Sequence, residues 1–314
     1  MKRTPFTLLL IAIMLSACTP AAPSAASPSP TYNPISPAMQ TAAAKATELA
    51  QATLDPKLFP SPTPPLTATP SADWKLVWAE EFEGADGASV DPKSWSFDVG
   101  GHGWGNNELE YYTDRVENAY LQDGSLVIEA RKEEYEGNSY TSARLVTKNK
   151  ADWMYGRYEI RARLPKGQGI WPAIWMLPSD DTYGGWPRGG EVDIMELIGK
   201  DPSTIYGTLH WGEPHESKGT SFRLNSPHDF SDDYHIFAVE WEPEAFRWYV
   251  DGVHFLTVSQ WKTSAENAPF PAPFNQRFHL LLNVAVGGNW PGSPDSNTVF
   301  PAKMLVDYVR VYER

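Results

Sequence analysis

Glu191, Asp193 and Glu196 stand in the hexapeptide EVDIME, interleaved with Val192, Ile194 and Met195. Paired carboxylates can cut a glycosidic bond when one attacks or activates water and the other gives a proton to the leaving oxygen. Residues i, i+2 and i+4 of a strand share a face. Glu191 and Asp193 therefore point one way, and Glu196, at i+5, points the other. A β-bulge at Ile194–Met195 would insert one residue and return Glu196 to its partners' face, with Val192 and one bulge residue packing inward. The outer glutamates would then stand about 13 Å apart at their α-carbons. Side chains leaning together bring the carboxyl groups to about 5 Å, the separation used for retention of configuration. Three acids this close are costly to ionise together, so one is expected to hold a proton, with Asp193 keeping the two glutamate pKa values apart. The hexapeptide alone is also compatible with a solvated acidic strand face or a calcium site.

The elements that must position these acids are short, apolar-alternating runs punctuated by Gly, Pro, Asn and Asp. SLVIEAR, YGRYEIRARL, HIFAVEWE, FRWYVDGVHFLTV, RFHLLLNVAV and MLVDYVRVY read as strands. Asp251-Gly252 marks a hairpin. No amphipathic helix of three turns is evident from Asp73 onward, so the expected class is all-β, a β-sandwich of jelly-roll type. Trp74, Trp78, Trp95, Trp241 and Trp248 are assigned to its core.

Composition divides the chain. All thirteen tryptophans of the 314 residues lie between Trp74 and Trp290, and the front section is rich in Ala, Pro, Ser and Thr. Residues 1–17 read as a secretory signal: Lys2 and Arg3 precede an apolar run from Phe6 to Leu15 that is too short for a stable membrane span. Leu15-Ser16-Ala17-Cys18 resembles a bacterial lipobox. The expectation is a lipidated Cys18 that anchors an exported protein to the membrane, at the cell surface or on the periplasmic side. Residues 18–72 then form a Pro-rich linker, and residues 73–314 one catalytic domain. Cys18 is the single cysteine, so the domain has no internal disulfide and must rest on a large core. A formal charge of −13 disfavours nucleic acid or anionic lipid as partner and fits a neutral ligand. A monomer is expected.

GEVDIME resembles the active-site strand of glycoside hydrolase family 16, in the branch with the bulged E-x-D-x-x-E motif. GGHGWGNNELEYYT, GIWPAIWMLP, GGWPRGGEVDIME, GTLHWG, LNVAVGGNWPG and VDYVRVYE are similar to the family's bacterial laminarinases in the family's own order, from Trp74 to Glu313. The resemblance implies a jelly roll with a substrate cleft across its concave face. It implies Glu191 as nucleophile, Glu196 as general acid/base and Asp193 assisting between them, in an endo-hydrolase of β-1,3-glucan that needs no cofactor for its chemistry. Trp171, Trp175, Trp186 and Trp290 fall at its cleft positions. The family often carries a structural calcium, for which Glu81, the Gly124 carbonyl and Asp307 are the candidate ligands here.

Other site residues follow from their surroundings. Asn107, in a Gly-rich loop, is a candidate donor to a sugar hydroxyl, or else a turn former. Arg144 is a candidate for a distal subsite, or else a salt-bridge partner. His210, on the strand after the acids, is a candidate to orient Glu196 or substrate. The alternatives are hydrolysis or transglycosylation of another β-glycan (mixed-linkage glucan, agar, carrageenan), or a glucan-binding surface lipoprotein. Intact Glu191 and Glu196 weigh against the last.

Overall fold

A computed structural model describes residues 73–314. The expected signal segment 1–17, Cys18 and the linker 18–72 lie outside the described residues. Eighteen strands follow the chain, and no helix occurs among the described residues. The first six are β1 (Lys75–Glu80), β2 (Ser96–Phe97), β3 (Glu110–Tyr112), β4 (Ala119–Gln122), β5 (Ser125–Ala130) and β6 (Tyr140–Ser142). Next come β7 (Arg144–Val146), β8 (Asp152–Trp153), β9 (Gly156–Arg163), β10 (Ile170–Pro178), β11 (Glu191–Leu197) and β12 (Thr204–Trp211). The last are β13 (Glu216–Arg223), β14 (His235–Glu242), β15 (Ala245–Val250), β16 (Val253–Val258), β17 (Phe278–Val286) and β18 (Ala302–Glu313).

They form a two-layer jelly-roll sandwich. One sheet runs β16-β15-β14-β9-β18-β5-β4, with β1 also on β18. The other runs β13-β12-β11-β10-β17-β7-β2, with β8 on β17. Pairing within both sheets is antiparallel, and only the small β3–β6 pair is parallel. The long strand β18 serves two neighbours on one edge, β5 along residues 302–306 and β1 along residues 309–313.

Alternation produces the layers. On β10, Ile170, Ile174 and Met176 are buried in the core, while Trp171 and Trp175 stay partly open on the opposite face. Leu280, Leu282, Val284 and Val286 of β17 extend the same apolar surface, and Ile160, Phe237, Val239, Trp241 and Trp248 meet it from the facing sheet. Each such large side chain contributes roughly 1.5–3 kcal/mol on burial, which suits a domain with no disulfide. Of the five tryptophans assigned to the core, Trp74, Trp95, Trp241 and Trp248 are buried. Trp78 is half-buried and packs against the same cluster.

Candidate active site

The bulge lies where the acid spacing requires it. Against β12, Asp193 pairs with Thr208 and Glu196 with Tyr206, so β11 advances three residues while its partner advances two. Against β10, Asp193 pairs with Trp175 and Glu196 with Ala173, both on the open face. Glu196 is thereby returned beside Glu191 and Asp193. Ile194 and Met195 are both buried, so two bulge residues pack inward where one was expected.

A bulge interrupts the ladder and leaves backbone groups to be satisfied elsewhere. Here the buried Trp248, reaching across from β15, donates its indole N–H to the Asp193 carbonyl at 2.8 Å. Room for that ring comes from Gly207 on β12, where an added Cβ would sit 2.7 Å from a Trp248 ring carbon. The kink in the acid strand is therefore held from the opposite sheet.

All three acids line a cleft of about 560 Å³. Asp193 is 3% exposed. Trp171 Nε1 donates to Glu196 Oε1 at 3.1 Å. No lysine or arginine comes within ion-pair distance of the three among the described residues. Burial and then the charges of Asp193 and Glu191 push the Glu196 carboxyl well above its ordinary range. Burial and then Asp193 push Glu191 up to about 8, with His210 and Arg144 pulling it back, and burial pushes Asp193 up to about 7. Cleft water still reaches Glu191, whose side chain is 18% exposed. All three carboxyls are raised, so the group retains a proton where free carboxylates would have lost theirs, as an acid beside a nucleophile requires.

His210 faces this group from β12, opposite Glu191 in register. Its Nε2 lies 3.0 Å from Asp193 Oδ2 and 3.9 Å from Glu191 Oε1. The shorter contact is not aligned as a hydrogen bond. His210 thus addresses Asp193 and Glu191, not Glu196 as expected, because its register partner is at the other end of the acid run. Glu191, Asp193 and His210 are also the one group of three or more such residues, among the described residues, whose ligand-type atoms lie within 4.8 Å of one another.

Trp171, Trp175, Trp186 and Trp290 all line the cleft. Trp290 packs edge-on against Trp171 at 5.7 Å and against Tyr206 at 5.0 Å. Trp175 is fixed by a buried chain of donors. Its Nε1 donates to Asn283 Oδ1 at 2.7 Å, Asn283 Nδ2 to the Tyr112 hydroxyl at 3.1 Å, and that hydroxyl to Glu108 at 3.1 Å. Arg144 lies in the cleft wall. Its guanidinium sits 4.7 Å from the ring centres of both Trp104 and Trp175, while Nε pairs with Asp98 at 3.0 Å.

One expectation needs correction. Asn107 does not line the cleft. It adopts a left-handed φ of 57°, a conformation asparagine tolerates, and donates to Asn289 Oδ1 at 2.8 Å, tying two loops together. Its neighbour Asn106 lines the cleft and donates to Glu108 at 3.1 Å. The two carboxylates among the calcium candidates each face an arginine. Glu81 accepts two hydrogen bonds from Arg310, at 2.8 and 2.9 Å, and Asp307 accepts one from Arg161 at 2.7 Å, so each carboxylate is committed to its own arginine. Gly124 sits in the β4–β5 turn with φ 69°. Sequence reasoning missed His102 and Trp104, which line the cleft from the loop that holds Asn107. An aromatic residue embedded among glycines was the available signal.

A family model described as "Glycosyl hydrolases family 16" matches residues 105–310, which include all of β11. A second, described as "Beta-glucan synthesis-associated protein SKN1/KRE6/Sbg1", matches residues 5–184 and ends before the acids. The chain is 50% identical over 248 residues to a beta-glucanase of Rhodothermus marinus, covering 76% of this chain and 85% of that one. The X-ray structure of the laminarinase from Rhodothermus marinus superposes with a TM-score of 0.70 at 49% identity, covering 76% of this chain and 97% of that one. The catalytic domain of an endo-1,3-beta-glucanase (laminarinase) from Thermotoga petrophila RKU-1 gives 0.68 at 47% identity, covering 77% and 98%.

Proposed function

This chain belongs to glycosyl hydrolase family 16, and from that premise and the acid face of β11 we propose a retaining endo-hydrolase of laminarin-type β-1,3-glucan. Glu191 attacks the anomeric carbon while Glu196 gives its proton to the departing sugar oxygen. Glu196, now ionised, takes a proton from water, and the water oxygen displaces Glu191 to release the new reducing end. Asp193 lies between the two and assists them. Trp171, Trp175, Trp186 and Trp290 offer apolar faces to sugar C–H surfaces, and Arg144 and Asn106 offer donors to hydroxyls.

The observation that carries this reading is the bulge that brings three acids, unpaired with lysine or arginine, to one face in the cleft. The beta-1,3 linkage is supported by what the relatives are named: a beta-glucanase, a laminarinase and an endo-1,3-beta-glucanase. The test is a product profile by mass spectrometry on unbranched β-1,3-glucan, for the wild type beside Glu191→Gln. A ladder of short oligosaccharides from the wild type alone is expected. No product from either protein on any β-glucan, with binding retained, would replace the enzyme by a capture protein.

The Leu-Ser-Ala-Cys sequence supports a further part of the proposal, a lipid-anchored, exported enzyme. The mass of the mature N-terminal peptide tests it: a diacylglyceryl increment on Cys18 is expected, and an unmodified cysteine would exclude it.

A further inference from the structure

His215 has no part in the hydrolytic step, yet it touches the site at two points. It ends the turn after β12, and its Nε2 lies 2.8 Å from His210 Nδ1. The two rings are 13° from coplanar with centroids 5.1 Å apart. With so short a nitrogen–nitrogen distance, this is an edge-to-edge hydrogen bond and not a face-to-face stack. On its other side, His215 meets the ring of Trp186 at 5.0 Å. Trp186 is 58% exposed in the cleft wall. Arg188 and Glu213, paired at 2.8 Å, clamp the same two loops.

We propose that His215 is a positioning residue that fixes the tautomer of His210, holding the His210 Nε2–H toward Asp193 and Glu191. This rests on the hydrolase reading above for its consequence, but not for its geometry. Two facing imidazole nitrogens need one donor and one acceptor. If His215 donates from Nε2, neutral His210 accepts at Nδ1 and must carry its own proton on Nε2. The opposite tautomer would present the Nε2 lone pair to two carboxylate oxygens, 3.0 and 3.9 Å away. If His210 is doubly protonated, it donates to His215 and still presents Nε2–H. With His215 as the donor, His210 directs Nε2–H at the acids; with His215 as the acceptor, the same bond would turn the His210 Nε2 lone pair toward them, so the direction of this one bond sets what the acids meet. Burial and the His210 charge lower the His215 pKa, which keeps it neutral.

The charged groups around this pair come from several elements. Glu191, Asp193 and Glu196 face it from β11, and Arg144 from β7 acts on Glu191. Arg188 and Glu213 lie in the clamped loops, and Glu216 opens β13. Among these, only His210 comes within hydrogen-bond distance of His215. A donor fixed at Nε2 favours the charged forms of Asp193 and Glu191, and so favours the anion that attacks.

The experiment compares His215→Phe, which keeps an aromatic ring against Trp186 but has no donor, with His215→Gln, whose amide N–H can replace the donor. Both are made in the full chain. For His215→Phe, kcat on β-1,3-glucan should fall about tenfold, below the ~10²-fold effect of losing a direct proton donor. KM should stay near the wild-type value, and the acid limb of the pH profile should move to higher pH. His215→Gln should restore most of kcat and return the limb. Unchanged kcat and limb in His215→Phe, or no recovery in His215→Gln, would overturn the proposal.

Side-chain ¹⁵N NMR of selectively labelled histidine gives a readout independent of turnover. His210 should show one tautomer, protonated at Nε2, in the wild type and His215→Gln, and a mixture in His215→Phe. A single Nε2–H tautomer in all three would also overturn it. Wild-type inactivity on every β-glucan would instead reject the hydrolase reading and leave the tautomer result to decide the role of His215.

Discussion

On the outer face of β9, Glu159 is 2% exposed and accepts hydrogen bonds from Arg157 Nε and Nη2 at 3.2 and 2.8 Å and from the Tyr308 hydroxyl at 3.0 Å. Glu129 on β5 is likewise held by Arg131, Lys303 and the Tyr120 hydroxyl. Across the sandwich, Glu196 has a single indole N–H donor among the described residues. Glu191 and Asp193 share one histidine, and none of the three cleft acids has an arginine or lysine contact among the described residues. Same residue type, opposite compensation: on the outer sheet a buried carboxylate is matched and serves the fold. In the cleft it is unmatched, keeps protons to high pH, and is available for chemistry at a cost in stability.

Replacing an acid by its amide on each side tests this contrast. The largest effect is on turnover. Glu191→Gln should lower kcat roughly 10⁴-fold or more, whereas Glu159→Gln should leave kcat close to wild type in a steady-state assay of the folded protein. Glu196→Gln should lower kcat about 10²–10⁴-fold, with the smaller loss for substrates whose leaving group needs no proton. Comparable losses for Glu159→Gln and Glu191→Gln would break the contrast.

The next effect is on stability. Glu159→Gln takes from the buried Arg157 one of its two carboxylate partners, leaving Glu240, and should cost about 1–3 kcal/mol in urea unfolding. Trp248→Phe removes the indole donor from the Asp193 carbonyl and should cost about 1–3 kcal/mol. It should also lower kcat, because the bulge that aims Glu196 loses its tie.

The smallest effect is a pH slope. Between its ordinary 4.5 and about 8, Glu191 keeps a proton in the native state that the unfolded chain has released. Native stability falls as pH rises through that window. Glu191→Gln should flatten the fall, so its melting temperature gains on wild type from pH 5 to pH 8. An unchanged slope would mean that Glu191 ionises in place as readily as in water.

Much of this site was legible because period-two alternation is strict. An acid at i+5 among partners at i and i+2 demands a bulge, and Ile194–Met195 is where it occurs. The apolar alternation of SLVIEAR and HIFAVEWE likewise follows from their packing on a core. What was not legible depends on tertiary neighbours. β13, ESKGTSFR, is almost wholly exposed and carries no apolar alternation, yet it pairs along all of β12. Trp248 read as core, correctly, but its cap on the bulge needs the opposite sheet and the missing side chain of Gly207. Asn106 and Asn107 are indistinguishable by type, and only the left-handed turn at Asn107 decides which one faces the cleft. The place of Arg144 between Trp104 and Trp175 was not legible because the two tryptophans come from separate segments.

The central claim is that a bulge places two glutamates on one face for double displacement at the anomeric carbon. Proton NMR of the first products from β-1,3-glucan tests it most directly, before mutarotation mixes the anomers. The account predicts that the new reducing end appears first as the β-anomer and drifts toward α. An α-anomer at the earliest times would mean a single displacement by water and would contradict the role given to Glu191.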